Sequence, residues 1–493
     1  MNGVRMRLFQ NVSVAIVLVA MSSWAKAETV QVGQVTFERC MAEGSGRVYS
    51  AWCGTVDVPE NWQDKASRRI ALALTWLPAR RDRGDVEPVV MLAGGPGQGA
   101  RASYPGVRYG LAKANEDRAI LLYDQRGTGD SQPLHCELSD DLNLAEQPEE
   151  DQIRQMASDC REQFASVALE HYTTDDAARD LEYIREQLGY DQLNVAGVSY
   201  GTRLAQRYAS LYPESTRTLL LDSPVPSDLV LLAEHGRSLD AAIERRLENC
   251  AVNEACLAKN GDPRVAYDNL RIALAQEPTQ VSYRDARSGE LKSALMTLDH
   301  FAVVMRLLTY GATTAVILPD LLSRTEREGF ETVLSLSDML STSLMSEIAH
   351  GMQLSVLCSE SMPYLRDEDR DAEQDTLLGT QLIRFSELQC ENWPSKAIAP
   401  DFYTTAQHDI PTLILSGSLD PVTPAHYGAR IRDSLKHAQH MVLNGEGHSV
   451  MSIGCLPEKI GVFMSALDVE QDTECVDNWQ SLPVFTGPYG WEP

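Results

Sequence analysis

The chain has 493 residues, 43% of them hydrophobic and 23% charged. That is enough apolar material for a full enzyme core with an inserted domain, and it excludes a disordered or low-complexity protein. A formal net charge of −27 excludes nucleic acid and anionic lipid as electrostatic partners and favours cationic ligands such as protonated amines.

At the amino end Arg5 and Arg7 precede an apolar run from Val12 to Ala20, and Ala25-Lys26-Ala27 offers the small-x-small site of a signal peptidase. Cleavage after Ala27 is predicted, with export to the periplasm or medium. The apolar run is too short to span about 30 Å of hydrocarbon, so no membrane attachment is expected after cleavage. The mature net charge would be −30, because Arg5, Arg7 and Lys26 are lost with no acid. All ten cysteines follow residue 27. An even number in an exported chain reads as a disulfide set, and pairing nearest neighbours gives Cys40–Cys53, Cys136–Cys160, Cys250–Cys256, Cys358–Cys390 and Cys455–Cys475. No metal-ligand spacing is present, and neither a metal nor an organic cofactor is implied.

Six short apolar runs read as buried strands: Ile70–Leu77, Val89–Leu92, Ala119–Tyr123, Leu193–Ala196, Thr218–Leu221 and Thr412–Leu415. Helices alternate with them. The clearest covers Asp176–Leu188, with Thr173 or Thr174 as cap, acids in the first turn, an apolar face of Ala177, Leu181, Ile184 and Leu188, and Gly189 as the stop. This alternation predicts an α/β fold, a mostly parallel central sheet with helices on both faces. Between Asp222 and Pro411 the strand signals fade into helical segments such as Ser238–Glu248, Pro263–Ala275 and Leu298–Thr309. So long an insertion is a subdomain, read as a helical lid. The predicted division is 1–27 signal peptide, 28–225 first part of the core, 226–405 lid and 406–493 second part of the core.

Gly197-Val198-Ser199-Tyr200-Gly201 follows a predicted strand and precedes a helix at Thr202–Tyr212. That context is the one a G-x-S-x-G nucleophile elbow requires: a tight strand-to-helix turn exposes the serine, and flanking glycines let the backbone pack. Serine needs a base, and the base needs an orienting partner. Asp420 lies on a turn after the strand Thr412–Leu415, and His448 lies in the loop Asn444–Ser449 after the run His440–Leu443. Ser199, Asp420 and His448 stand in the chain order of the α/β-hydrolase fold. Glu446 remains an alternative orienting carboxylate. Donors for a tetrahedral oxyanion are expected from the Tyr200 backbone N–H and from Gly95, in the loop Ala93-Gly94-Gly95-Pro96-Gly97-Gln98-Gly99. That loop has no P-loop lysine, which argues against a phosphate cradle.

With Gly94–Gly97, Asp124-Gln125-Arg126-Gly127-Thr128-Gly129-Asp130-Ser131, the elbow and the late Asp420 and His448 regions, the chain resembles the exported branch of the prolyl iminopeptidase and tripeptidyl aminopeptidase (TAP-like) family of α/β-hydrolases. The resemblance implies a serine peptidase that releases proline or short peptides from the free amino end of a peptide substrate, with lid acids holding the α-ammonium group. Glu360, in Cys358-Ser359-Glu360, resembles the acid late in the tripeptidyl lid. Ala93-Gly94 stands where many prolyl iminopeptidases have His-Gly, so specificity does not carry over. Asp124 and Arg126 are expected to be structural, with Arg126 hydrogen-bonding neighbouring loop carbonyls or pairing with an acid and so holding the oxyanion loop. Two other readings stay open: an exported carboxylesterase with the same triad, and a noncatalytic binding protein on a hydrolase shell.

Overall fold

Among the described residues the apolar runs assemble into one sheet of ten strands. The computed structural model describes residues 28–81, 83–84, 86–137, 148–405, 407–486 and 490; the predicted signal segment and its cleavage site at Ala27 lie outside them. In chain order the sheet uses β1 (Thr29–Val32), β2 (Val35–Gly44), β3 (Arg47–Pro59), β4 (Arg69–Leu77), β5 (Val89–Leu92), β6 (Ile120–Tyr123), β7 (Leu193–Val198) and β8 (Thr216–Asp222). A separate hairpin, β9 (Thr279–Arg284) and β10 (Leu291–Met296), comes next; β11 (Thr412–Gly417) and β12 (Ala438–Leu443) then complete the sheet. The spatial order is β1-β2-β3-β4-β6-β5-β7-β8-β11-β12.

From β6 to β12 every pairing is parallel, whereas β1 to β4 and the β4–β6 junction are antiparallel. Parallel strands are covered on both faces and so read as unbroken apolar runs; all four residues of β5 and of β6 are buried. Successive residues serve opposite faces: Leu121, Val195 and Leu219 join one apolar cluster, while Leu122, Ala196 and Leu220 join the other. The amino-terminal strands β1 to β3 escape detection in the sequence because they are half exposed, with polar residues alternating through them.

The helix Thr174–Leu188 is capped by the Thr173 side chain and ends at Gly189. Such a cap contributes about 1 kcal/mol. All five predicted disulfides are present.

The insertion between β8 and β11 has its own apolar cluster, including Leu239, Leu247, Phe301, Met305, Leu322 and Leu334. It is not wholly helical, since β9 and β10 pair within it. Only Tyr283 of β9 and Ala294 and Met296 of β10 are buried, so the hairpin carries little apolar signal. A later part packs Met352, Val356 and Trp393 against Tyr172 and Tyr200 of the core. Ala349 donates its N–H to the carbonyl of Gly97 at 2.9 Å, joining this part of the lid to the glycine loop.

Candidate active site

Ser199 lies at the junction of β7 and the helix Tyr200–Leu211, with φ 55° and ψ −124°. A non-glycine residue there is strained, the conformation an elbow imposes. Two glycines make the turn possible. A Cβ on Gly197 would sit 2.5 Å from the carbonyl oxygen of Gly201, and one on Gly201 would strike the Leu92 carbonyl. Thr202 closes the turn, its N–H and hydroxyl both donating to the Ser199 carbonyl, at 2.9 and 2.5 Å. The glycine loop lies alongside, and a Cβ on Gly94 would stand 3.1 Å from the Ser199 Cβ. Gly95 is the next residue of that loop, and Tyr200 opens the helix.

Asp420 and His448 come together. The Asp420 Oδ2 lies 2.8 Å from His448 Nδ1, and the carboxylate also accepts the N–H groups of Val422 and Thr423 at 2.9 and 2.8 Å and the Thr423 hydroxyl at 2.8 Å. Burial works to raise the Asp420 pKa, but His448 and the donor groups outweigh it and hold the carboxyl below its usual range. For His448 burial works to lower the pKa, and Asp420, with help from Asp222, raises it above the ordinary value. Glu446 is engaged elsewhere, accepting the Trp479 indole N–H at 3.0 Å.

Asp222, which ends β8, joins the serine and histidine loops. Its carbonyl accepts the Ser199 N–H at 3.0 Å. Its buried carboxylate accepts the Ser449 hydroxyl at 2.8 Å and the N–H groups of Val450 and Met451 at 2.9 and 3.2 Å, on the segment just after His448. The lid holds His448 from the other side: the Tyr310 carbonyl accepts the His448 N–H at 2.7 Å, and the two rings meet edge to face at 5.2 Å. A Cβ on Gly447 would collide with that same carbonyl. From the lid helix His235–Ala251, the buried Arg246 donates to the carbonyls of Thr309, Gly445 and Leu419 at 3.1, 3.4 and 3.5 Å, bridging the lid to both late loops.

The comparisons with known proteins agree with this architecture. Residues 87–248 match the family described as alpha/beta hydrolase fold, and residues 376–475 match the family described as TAP-like protein. The chain is an α/β-hydrolase with a TAP-like carboxyl-terminal region. It is similar to the serine protease Hip1 of Mycobacterium tuberculosis, 27% identical over 84% of this chain and 85% of that protein. It is also similar to the tripeptidyl aminopeptidase of Streptomyces lividans, 25% identical over 84% of this chain and 81% of that protein. A proline iminopeptidase of Aeromonas sobria is 35% identical over only 33% of this chain and 32% of its own. Among solved structures, a serine hydrolase from Cycloclasticus zankles aligns over 84% of this chain and 99% of its own at 12% identity and a TM-score of 0.37.

Within this α/β-hydrolase the charged pair after β6 has two separate tasks, and Arg126 does not hold the oxyanion loop. Its fully buried guanidinium pairs with Asp180 at 2.6 and 2.7 Å and donates to the carbonyls of Glu60 and His171, each at 2.7 Å. It thereby fastens the end of β3 to the helix Thr174–Leu188. Asp124 is the residue that reaches the loop region, accepting the N–H groups of Arg101 and Asp130 at 3.0 and 3.1 Å. Burial raises the Asp124 pKa to about 6.

Glu360 ends the lid helix His350–Glu360 and is fully buried. Both carboxylate oxygens accept from Thr174, the N–H at 2.6 Å and the hydroxyl at 2.7 Å, and that hydroxyl lies 2.7 Å from the Tyr200 hydroxyl. Burial raises the Glu360 pKa to about 7. The residue borders a cavity of about 190 Å³ with Thr173, Asp175, Arg179, Lys396 and Phe402, a cavity that the triad residues do not line. Sequence reasoning missed Asp222, Thr423, Tyr310 and Arg246. Only Asp222 carries a usable signal, an acid closing a buried apolar strand.

Proposed function

We propose that this hydrolase is an exported serine peptidase that removes short peptides or proline from the free amino end of peptide substrates through an acyl-enzyme. The observation that carries the reading is the double role of Asp222, whose carbonyl holds Ser199 and whose carboxylate holds the segment after His448. A serine and a histidine whose segments are tied to one residue at one sheet edge, with the histidine on Asp420, support nucleophilic catalysis here.

In this mechanism neutral His448 removes the Ser199 proton as the hydroxyl oxygen attacks the scissile carbonyl. Asp420 fixes the tautomer with the proton on Nδ1 and stabilises the imidazolium that forms. The N–H groups of Tyr200 and Gly95 receive the oxyanion, helped by the amino end of the helix Tyr200–Leu211. His448 then protonates the leaving nitrogen, the C–N bond breaks, and water, deprotonated by His448, releases the acyl group.

Glu360 takes the substrate ammonium in this reading. One tyrosine side chain and two hydrogen bonds separate it from the Ser199 elbow. The five disulfides favour an oxidising compartment, in keeping with export.

The test is turnover by the purified protein of prolyl-, alanyl- and tripeptidyl-arylamides, their amino-blocked forms and a short-chain ester. Cleavage confined to free-amine substrates, with the tripeptide fastest, is expected. Cleavage of the ester alone would move the protein to the carboxylesterases and leave Glu360 without a substrate role.

A further inference from the structure

Arg306 is a lid cation beside the triad histidine. It sits on the helix Leu298–Thr309, one turn before Tyr310, and its Nη2 donates to the Tyr310 hydroxyl at a long 3.4 Å. The Tyr310 ring lies edge to face with the His448 ring, so the chain of contact runs from guanidinium to phenol to imidazole. Arg306 is half buried, and among the described residues no carboxylate lies within ion-pair distance of it. Arg207 is bound by Asp175 and Asp401, Arg126 by Asp180, and Arg246 by three carbonyls.

Two neighbouring side chains leave the guanidinium unpaired. His235, at the start of the helix His235–Ala251, is driven down to about 3, by burial first and then by Arg306, and stays neutral. Glu234 beside it is taken by the Tyr427 hydroxyl at 2.7 Å. A half-buried guanidinium with one weak hydrogen bond keeps most of its five donors for a planar anionic partner.

Which part of a substrate reaches it follows from the mechanism proposed above, on which this inference rests. His448 must face the leaving nitrogen, so groups packed beside His448 border the leaving fragment. We propose that Arg306 binds a carboxylate on the leaving fragment, so that the enzyme favours peptides whose chain ends, or carries an acidic side chain, at the first residue after the scissile bond. The free-acid end of a short peptide is the commonest such group, which makes short peptides, not folded proteins, the natural substrate class.

The test compares tetrapeptides that differ only in a free carboxylate or a carboxamide at the carboxyl end, with release of the last residue followed by mass spectrometry. A charge-assisted pair of this kind is expected to favour the free acid roughly 10- to 100-fold in kcat/KM. The advantage should shrink at high salt. In Arg306→Gln the ratio of acid to amide should fall toward one, and Arg306→Lys should restore part of it. A wild-type ratio near one, or an Arg306→Gln variant that loses acid and amide turnover equally, would overturn the proposal. Calorimetric binding of the two tetrapeptides to Ser199→Ala separates this from the peptidase reading. Selective binding of the free acid, lost on adding Arg306→Gln, supports the carboxylate site even if the wild type turns over neither peptide. Equal binding refutes it even if both are cleaved.

Discussion

The backbone carbonyl of Tyr310 accepts the N–H of His448 at 2.7 Å, and the tyrosine ring stands edge to face against the imidazole at 5.2 Å. His448, the proposed general base, is therefore positioned jointly by the sheet, through Asp420, and by the lid. Tyr310→Ala keeps the backbone bond but frees the imidazole on one side. A lower kcat by about 10²-fold is expected, the scale set by an ångström of misplacement, with KM changed less and circular dichroism unchanged. A variant with wild-type kcat would show that Asp420 alone fixes the ring.

The pH dependence follows from the direction in which His448 is shifted. Asp420 stabilises the imidazolium, so the His448 pKa lies above 6.5. The base must be neutral to act, so kcat/KM should rise with pH through an inflection above that value. In Asp420→Asn the stabilising charge is gone, the inflection should move to lower pH, and kcat should fall by about 10⁴-fold. An unmoved inflection would mean that another group sets the acid limb.

Glu360 gives a second signature, in KM. Burial raises its pKa to about 7, so the carboxylate forms as pH rises through neutrality, while a peptide ammonium loses its proton near pH 8 (roughly 7.7–8.0). KM for a free-amine peptide should fall as pH rises through about 7 and climb again above about 8. Glu360→Gln should flatten the first limb and leave the second. An identical profile in that variant would remove Glu360 from substrate binding.

Arg126 and Asp180 are both fully buried and bidentate. Removing one partner strands the other charge, so Arg126→Ala should cost about 3–5 kcal/mol in denaturant unfolding. Replacing both residues, as in Arg126→Met with Asp180→Leu, should recover much of that loss. A stable Arg126→Ala single variant would contradict the pairing.

The parallel half of the sheet was legible because its strands are buried on both faces and their apolar runs are unbroken. The elbow and the Asp420 and His448 loops were legible because glycine and strand context surround them. β1 to β3 and the β9–β10 hairpin were not, since half-exposed strands mix polar with apolar residues. Tyr310 and Arg246 act from a lid far along the chain from the loops they touch, and no local pattern marks such contacts. The structural role of Arg126 and its pairing with an acid were legible, but not what the pair fastens: a loop arginine names its charge but not the carboxylate it finds, here Asp180 on a helix 54 positions away.

The most direct test of Ser199 as nucleophile is covalent labelling. The purified protein would be treated with a fluorophosphonate and digested, and the modified peptide would be sequenced by mass spectrometry. One adduct per chain on Ser199 is expected, absent in Ser199→Ala and slowed strongly in His448→Ala. Failure to label, or labelling undiminished in Ser199→Ala, would contradict a serine hydrolase mechanism at this site.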